Sequence, residues 1–452
     1  MTPSVNPPVI RLGAGAGYSG DRIEPAVELA EHGQLDFLIF ECLAERTIAI
    51  AQQARRKDPH QGYDPLLEAR MRAVLPVAVK NRVRIVSNMG AANPVAAALK
   101  TAQVVRELGL PPLRIAAVTG DDVLDAVLSG AWRFDESGEE IIAYRDRIIS
   151  ANAYLGAGPI VGALDAGAEI VLTGRVADPS LFTAPLIHAF GWRMDDWTML
   201  GQATVIGHLL ECAGQVTGGY FADPGFKDVP DLARLGFPIG EVTADGTVTV
   251  TKLPHAGGRV SAATCKEQLL YEIQDPAQYF QPDVIADFTG VEIEEDTSNR
   301  VRVTGGRGGA PTPTLKVSVG YLDGFIGEGQ ISYGGSGAMT RARLALQIVR
   351  ERLAIAGVKT GELRFDMIGV DSLYGNTLDS TASEPTEVRA RVVGRTDSLN
   401  EAQRIGNEVE TLYTNGPAGG GGVGKSVREL LAVKSVLLPR EVVQPAFTFV
   451  EI

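Results

Sequence analysis

Cysteine is scarce in this chain. Its 452 residues include three, Cys42, Cys212 and Cys265, odd in number, far apart and without a CxxC spacing. That excludes a disulfide framework and the paired-thiolate metal motifs, and it fits reduced thiols in a cytosol. Long hydrophobic runs are missing as well: no stretch approaches the roughly 18 apolar residues that a membrane span needs. Residues 1–17 offer neither a basic segment leading into an apolar one nor a twin arginine, so a cytoplasmic protein with no membrane partner is expected. Basic charge is in short supply, with 42 Lys and Arg against 55 Asp and Glu and a net charge of −13. With no basic stripe to offset it, the average field repels a phosphate backbone, and nucleic acid is excluded as a partner. Disorder is excluded by the 45% of hydrophobic residues, set against only 21% charged, a balance suited to burying sizeable cores.

What is present is an alternation. From residue 9 to about 215, short β-branched runs alternate with longer helical stretches, which is the pattern of a parallel sheet covered by helices. Strands are expected at Val9–Leu12, Asp36–Phe40, Arg82–Val86, Arg114–Val118, near Arg147–Ser150 and at Glu169–Leu172. After Gly218 the chain becomes rich in Gly and Pro, with a hairpin signal at Asp245-Gly246. The expected fold is α/β: a wound parallel-sheet domain over residues 1–240, followed over 241–452 by an α+β sandwich with an antiparallel sheet and two long helices, Met339–Ala356 and Leu399–Tyr413.

In open parallel sheets, ligands bind beyond the carboxyl ends of the strands. Polar and small residues fill those positions here: Gly15, Gly17 and Ser19 after the first strand, Glu41 after the second, Asn88 after the third. Thr119, Asn152, Thr173, Arg175 and Asp178 follow the others. Gly, Asn, Ser and Thr are also ordinary turn and cap residues. Glu41 and Arg175 resist that reading, because a cap needs no long charged side chain. Farther on, His208 and Glu211 share one helical face at i and i+3, which suits acid–base work or a metal, although no second ligand pair accompanies them. The expected site joins Glu41, Arg175, Asp178, His208 and Glu211 as catalytic residues in one crevice, with Arg175 clamping a carboxylate or phosphate. Gly15, Gly17, Ser19, Asn88, Thr119, Asn152 and Thr173 are expected to bind substrate there.

Two cofactor motifs are weighed. Gly15-x-Gly17-x-x-Gly20 matches the dinucleotide fingerprint, with Glu41 near the ribose-binding position, but Asp21 would set a like charge beside a pyrophosphate; NAD is not favoured. Gly419–Ser426 satisfies the Walker A letters, yet no strand is expected to feed it, so ATP is not expected to bind. A helix is expected to begin at Ser426, leaving free N–H groups for some other anion.

Two long strings, Gly207–Pro224 and Gly257–Ile273, resemble segments of the acyclic terpene utilisation (AtuA) family. The Gly13–Gly20 loop, Ser87–Gly90, Leu172–Arg175, Tyr333–Ser336 and Asn415–Gly419 also look like family features, so the resemblance covers nearly the whole chain. It implies a place in the breakdown of citronellol- and geraniol-type compounds through carboxylated and acyl-CoA intermediates, and it brings no catalytic residues with it. The expected function is therefore a catabolic lyase or hydratase, performing hydration/dehydration or carbon–carbon cleavage on a short or branched carboxylate or acyl-CoA, in a homo-oligomer. The alternatives are a non-catalytic subunit of a catabolic complex and an NAD-dependent oxidoreductase.

Overall fold

The computed structural model describes residues 9–375 and 385–451. Residues 1–8, part of the segment judged to lack an export leader, lie outside the described residues. In chain order the elements are β1 (Val9–Ala16), α1 (Glu24–His32), β2 (Phe37–Phe40), α2 (Glu45–Lys57), α3 (Leu67–Asn81), β3 (Arg84–Ser87), α4 (Pro94–Glu107), β4 (Ile115–Thr119), α5 (Leu124–Ser129) and β5 (Ile148–Ala153). Next come α6 (Gly158–Asp165), β6 (Ile170–Thr173), α7 (Ser180–Phe190), α8 (Trp197–Glu211), β7 (Pro238–Thr243), β8 (Val248–Lys252), α9 (Ala262–Leu270), β9 (Tyr279–Phe280), β10 (Ile285–Asp287), β11 (Glu292–Thr297), β12 (Arg300–Thr304) and β13 (Arg307–Gly309). The chain closes with β14 (Thr314–Gly334), α10 (Ala338–Ile355), β15 (Glu362–Ile368), β16 (Glu387–Thr396), α11 (Leu399–Glu410), α12 (Leu412–Asn415), β17 (Gly421–Pro439) and β18 (Ala446–Val450).

The fold is mixed α/β and divides into two compact units, one of residues 1–320 with 433–452 and one of residues 321–432. The boundary expected at 240 falls inside β7, which pairs with β1 in the main sheet of the first unit. The Gly- and Pro-rich composition after Gly218 marks surface turns of that unit rather than a linker.

In the first unit, β1, β2, β3, β6 and β4 lie side by side and parallel, in that order. Antiparallel β7, β8, β12 and β11 extend one edge, and β18 covers the other against β4. The parallel strands are buried along most of their length, as a sheet covered on both faces requires. Helices α1, α3 and α4 pack on one another, as do α6, α7 and α8. The chain leaves β3 into the first set and β6 into the second, so the winding reverses between those adjacent strands, the position at which open α/β sheets generally bind ligands.

One expected strand is misplaced. The segment near Arg147–Ser150 does form β5, but β5 pairs with β14 rather than joining the parallel strands. Asn152 is therefore no member of the row of parallel strand ends.

In the second unit, strands run β15-β16-β14-β17, with α10 and α11 both packed on β16 and on each other, a two-layer α+β sandwich. Its core includes Ile331, Tyr333, Val349, Leu353, Val392, Ile405 and Val409. The helix expected from Ser426 is absent: Ser426–Leu431 belongs to β17. Val423, Val427, Leu430 and Leu431 are spaced as on a helical face, yet the segment is extended, and the glycines at 419–422 and 424 disfavour a helix.

A cavity with Asp178 in its wall

The loop after β6 carries the most informative residues. Arg175 is 1% exposed, and its guanidinium is committed internally: Nη1 donates to the Leu43 carbonyl, Nη2 donates to Asp178 Oδ1 at 2.7 Å, and Cζ stacks 4.2 Å from the Tyr154 ring centre. Its backbone N–H donates to Asp121 Oδ2 at 2.9 Å. An arginine held this way orients Asp178 and the backbone after β2, while it also forms part of a cavity wall and keeps Nε without a partner.

Asp178 is half-buried and shares the wall of a cavity of about 850 Å3 with Arg175, Tyr154, Glu45, Arg46, Tyr279 and Lys316. Desolvation raises its carboxyl well above the usual range; Arg175 opposes this, and the charges of Glu41 and Glu211 add to it. Tyr154 Oη donates to Glu45 Oε1 at 2.8 Å, and Lys316 Nζ donates to the same oxygen at 2.7 Å. Burial acts to raise Glu45, yet those two bonds prevail and hold it below its ordinary value. Arg46, exposed at the start of α2, has no carboxylate partner among the described residues. Arg46 and the Glu45-paired Lys316 thus share the cavity wall with the acids Asp135 and Glu272.

Glu41 is not on that wall. Its Oε1 accepts from Leu43 N at 2.8 Å and from Asn88 Nδ2 at 2.9 Å, and burial raises its pKa against those bonds and against Arg175. Asn88 is fully buried and also accepts from Cys42 N at 2.7 Å, so it orients Glu41 rather than a ligand. His208 and Glu211 do bond, Nδ1 to Oε1 at 2.8 Å. They do not line the cavity with Arg175, contrary to the expectation of one open crevice. The His208 ring instead stands 5.5 Å, centre to centre, from that of Tyr279, which does line it.

None of the other residues expected to bind substrate lines the cavity. A Cβ on Gly15 would stand 2.6 Å from the Phe40 ring and one on Gly17 2.5 Å from the Cys212 backbone, so these glycines permit close packing. The Gly17 N–H is taken by Asp21 Oδ2 at 3.0 Å, which leaves a pyrophosphate to compete with a carboxylate already in place. Ser19 Oγ donates to Asp64 Oδ2 at 2.5 Å. Asp64 in turn pairs with fully buried Arg70, which also donates to the Ser19 and Asp21 carbonyls. Thr119 pairs with Ala446 of β18, Asn152 donates to Asp121 Oδ2 at 2.9 Å, and Thr173 bonds the Gly174 carbonyl at 3.0 Å. No group of three or more His, Cys, Asp or Glu suited to a metal occurs among the described residues, nor does a helix long and apolar enough to cross a membrane.

A family model described as acyclic terpene utilisation family protein AtuA matches residues 10–449. The chain belongs to this family. Membership supports a role in acyclic terpene utilisation and leaves the chemistry to be read from the site. No curated protein and no solved structure matches this AtuA-family chain.

Proposed function

We propose that this AtuA-family chain is a catabolic enzyme of the lyase or hydratase class, acting without redox chemistry on a short or branched carboxylate or its CoA thioester. One observation carries the reading: a carboxyl group, Asp178, opens on a cavity of about 850 Å3 while its proton affinity is raised and its orientation is set by buried Arg175. A general acid–base group needs those properties together, namely access, a fixed direction and a pKa moved toward neutrality. Arg46 supplies complementary charge for a carboxylate or for a CoA phosphate, with Lys316, paired to Glu45, on the same wall. Tyr154 and Tyr279 supply apolar wall for a branched chain.

The test is to incubate the protein with a panel of branched carboxylates and their CoA thioesters, following gain or loss of water and chain cleavage by mass spectrometry. Asp178→Asn should lower the rate about 10²–10⁴-fold while retaining ligand binding measured by calorimetry. Arg46→Ala with Lys316→Ala should instead weaken binding. Turnover unaffected by Asp178→Asn would sink the assignment.

A further inference from the structure

Three buried polar atoms behind the cavity have no partner. His208 is 1% exposed and Glu211 7%, and their Nδ1–Oε1 bond leaves His208 Nε2 and Glu211 Oε2 unpartnered. Gln268, 2% exposed, donates Nε2 to the His208 carbonyl at 2.9 Å and leaves its Oε1 unpartnered. Gln268 has its amide nitrogen turned to a carbonyl, so its free oxygen is an acceptor. The free ring nitrogen of His208 accepts or donates according to its tautomer. Three buried polar atoms without partners, on His208, on the Glu211 bonded to its ring and on the Gln268 bonded to its backbone carbonyl, are costly and call for an occupant that both donates and accepts.

Access runs past Tyr279. Its ring lines the cavity on one side and meets the His208 ring on the other, with Phe288 completing the aromatic triangle at 5.7 Å from His208 and 5.5 Å from Tyr279. Tyr279 sits on the two-residue strand β9, the edge of a three-stranded sheet, held by pairing of Tyr279 with Ala286 and of Phe280 with Ile285. Residues 274–278 before it are exposed. So short an edge strand opens at lower cost than the core does.

We propose that His208, Glu211 and Gln268 form an inner subsite of the cavity, closed by Tyr279, that binds the hydroxyl group of a hydroxycarboxylate. The inference rests on the reading of the outer cavity as a carboxylate site. A hydroxyl both donates and accepts without carrying a charge into the interior, whereas an ammonium would have to be stripped of its water. A site built to bond a hydroxyl discriminates strongly against the analogue that lacks it, because its own polar groups are then left unpaired.

Calorimetry with 3-hydroxy-3-methylbutanoate, 3-methylbutanoate and 3-amino-3-methylbutanoate tests this on the full chain. The hydroxy acid should bind at least about tenfold more tightly than 3-methylbutanoate. His208→Phe should bring that ratio close to one while leaving 3-methylbutanoate bound, and isosteric Glu211→Gln should lower the ratio without altering the fold. In Tyr279→Ala, hydrogen exchange at the His208 imidazole C2 position should accelerate at least about tenfold, with His188 as internal reference. Equal affinity for the first two acids overturns the inference and leaves the carboxylate reading standing. Binding of none of the three overturns both. Tighter binding of the amino acid overturns the hydroxyl assignment, and unchanged exchange in Tyr279→Ala overturns the role of Tyr279.

Discussion

Asp121 illustrates how one buried carboxyl couples the site to pH. It is 4% exposed, and its Oδ2 accepts from Arg175 N and Asn152 Nδ2, each at 2.9 Å. Burial nevertheless pushes its pKa up to about 6, against those bonds. The unfolded chain titrates this group near the ordinary aspartate value of about 3.9. Between about pH 4 and 6, the folded protein therefore holds a proton that the unfolded chain has released. Stability from this group is complete below that window and is lost as the pH rises through it, by about 3 kcal/mol at about 1.4 kcal/mol per pKa unit. Asp121→Asn keeps an oxygen at the Oδ2 position and cannot ionise. Urea midpoints from pH 4 to 7 should thus fall more steeply in the wild-type protein than in the variant. Parallel pH profiles would remove Asp121 from the linkage.

At the scale of elements, most of the fold was legible in the sequence. Hydrophobic period located the parallel strands and helices α10 and α11 within a few residues, because each buries a face whose spacing the sequence must carry. Pairing partners are set by topology, and no spacing reveals them; hence β5 was recognised as a strand but assigned to the wrong sheet. The site was legible in part for the same reason. Strand-end position identified Asp178 and Arg175, and it extends naturally to Glu45 and Arg46 in the first turn of α2, which were missed. Lys316 arrives from a distant strand, and Tyr279 from a strand of two residues that leaves no periodic signal. The glycine run at Gly419–Gly422 misleads in the opposite direction, since its letters satisfy a phosphate loop while Gly421–Pro439 is extended. Lys425 Nζ is held by Asn407 Oδ1 at 3.0 Å and by Glu410. Without a strand-to-helix turn, the backbone N–H groups cannot converge on a phosphate. Equilibrium dialysis should find no saturable ATP binding at micromolar concentration, and Lys425→Ala should change nothing; binding that this substitution abolishes would show the loop to be functional.

At the scale of the whole molecule, the division into two units predicts how the chain unfolds. Each unit has a core of its own: Leu12, Leu38, Ile39, Ile85, Val171 and Leu172 lie along the parallel strands of one, and Ile331, Val392, Ile405 and Val409 fill the other. Chains with separate cores commonly depart from two-state behaviour, because each core loses its contacts cooperatively on its own account. The denaturant dependence of each step scales with the surface that it exposes. The larger unit should therefore unfold with the steeper slope. The three tryptophans make the steps separable, since Trp132, Trp192 and Trp197 all fall in the unit of residues 1–320 and 433–452. Tryptophan fluorescence should follow that unit alone, while far-UV circular dichroism also registers α10, α11 and the sheet of the other. The two urea curves should fail to coincide, and the circular dichroism should carry an added, shallower transition. Replacing Val392 with Ala leaves a cavity in the smaller core, and truncations of buried aliphatic side chains typically cost about 1–3 kcal/mol. That substitution should shift only the shallow transition. Coincident curves, or a fluorescence midpoint displaced by Val392→Ala, would mean that the two units unfold as one.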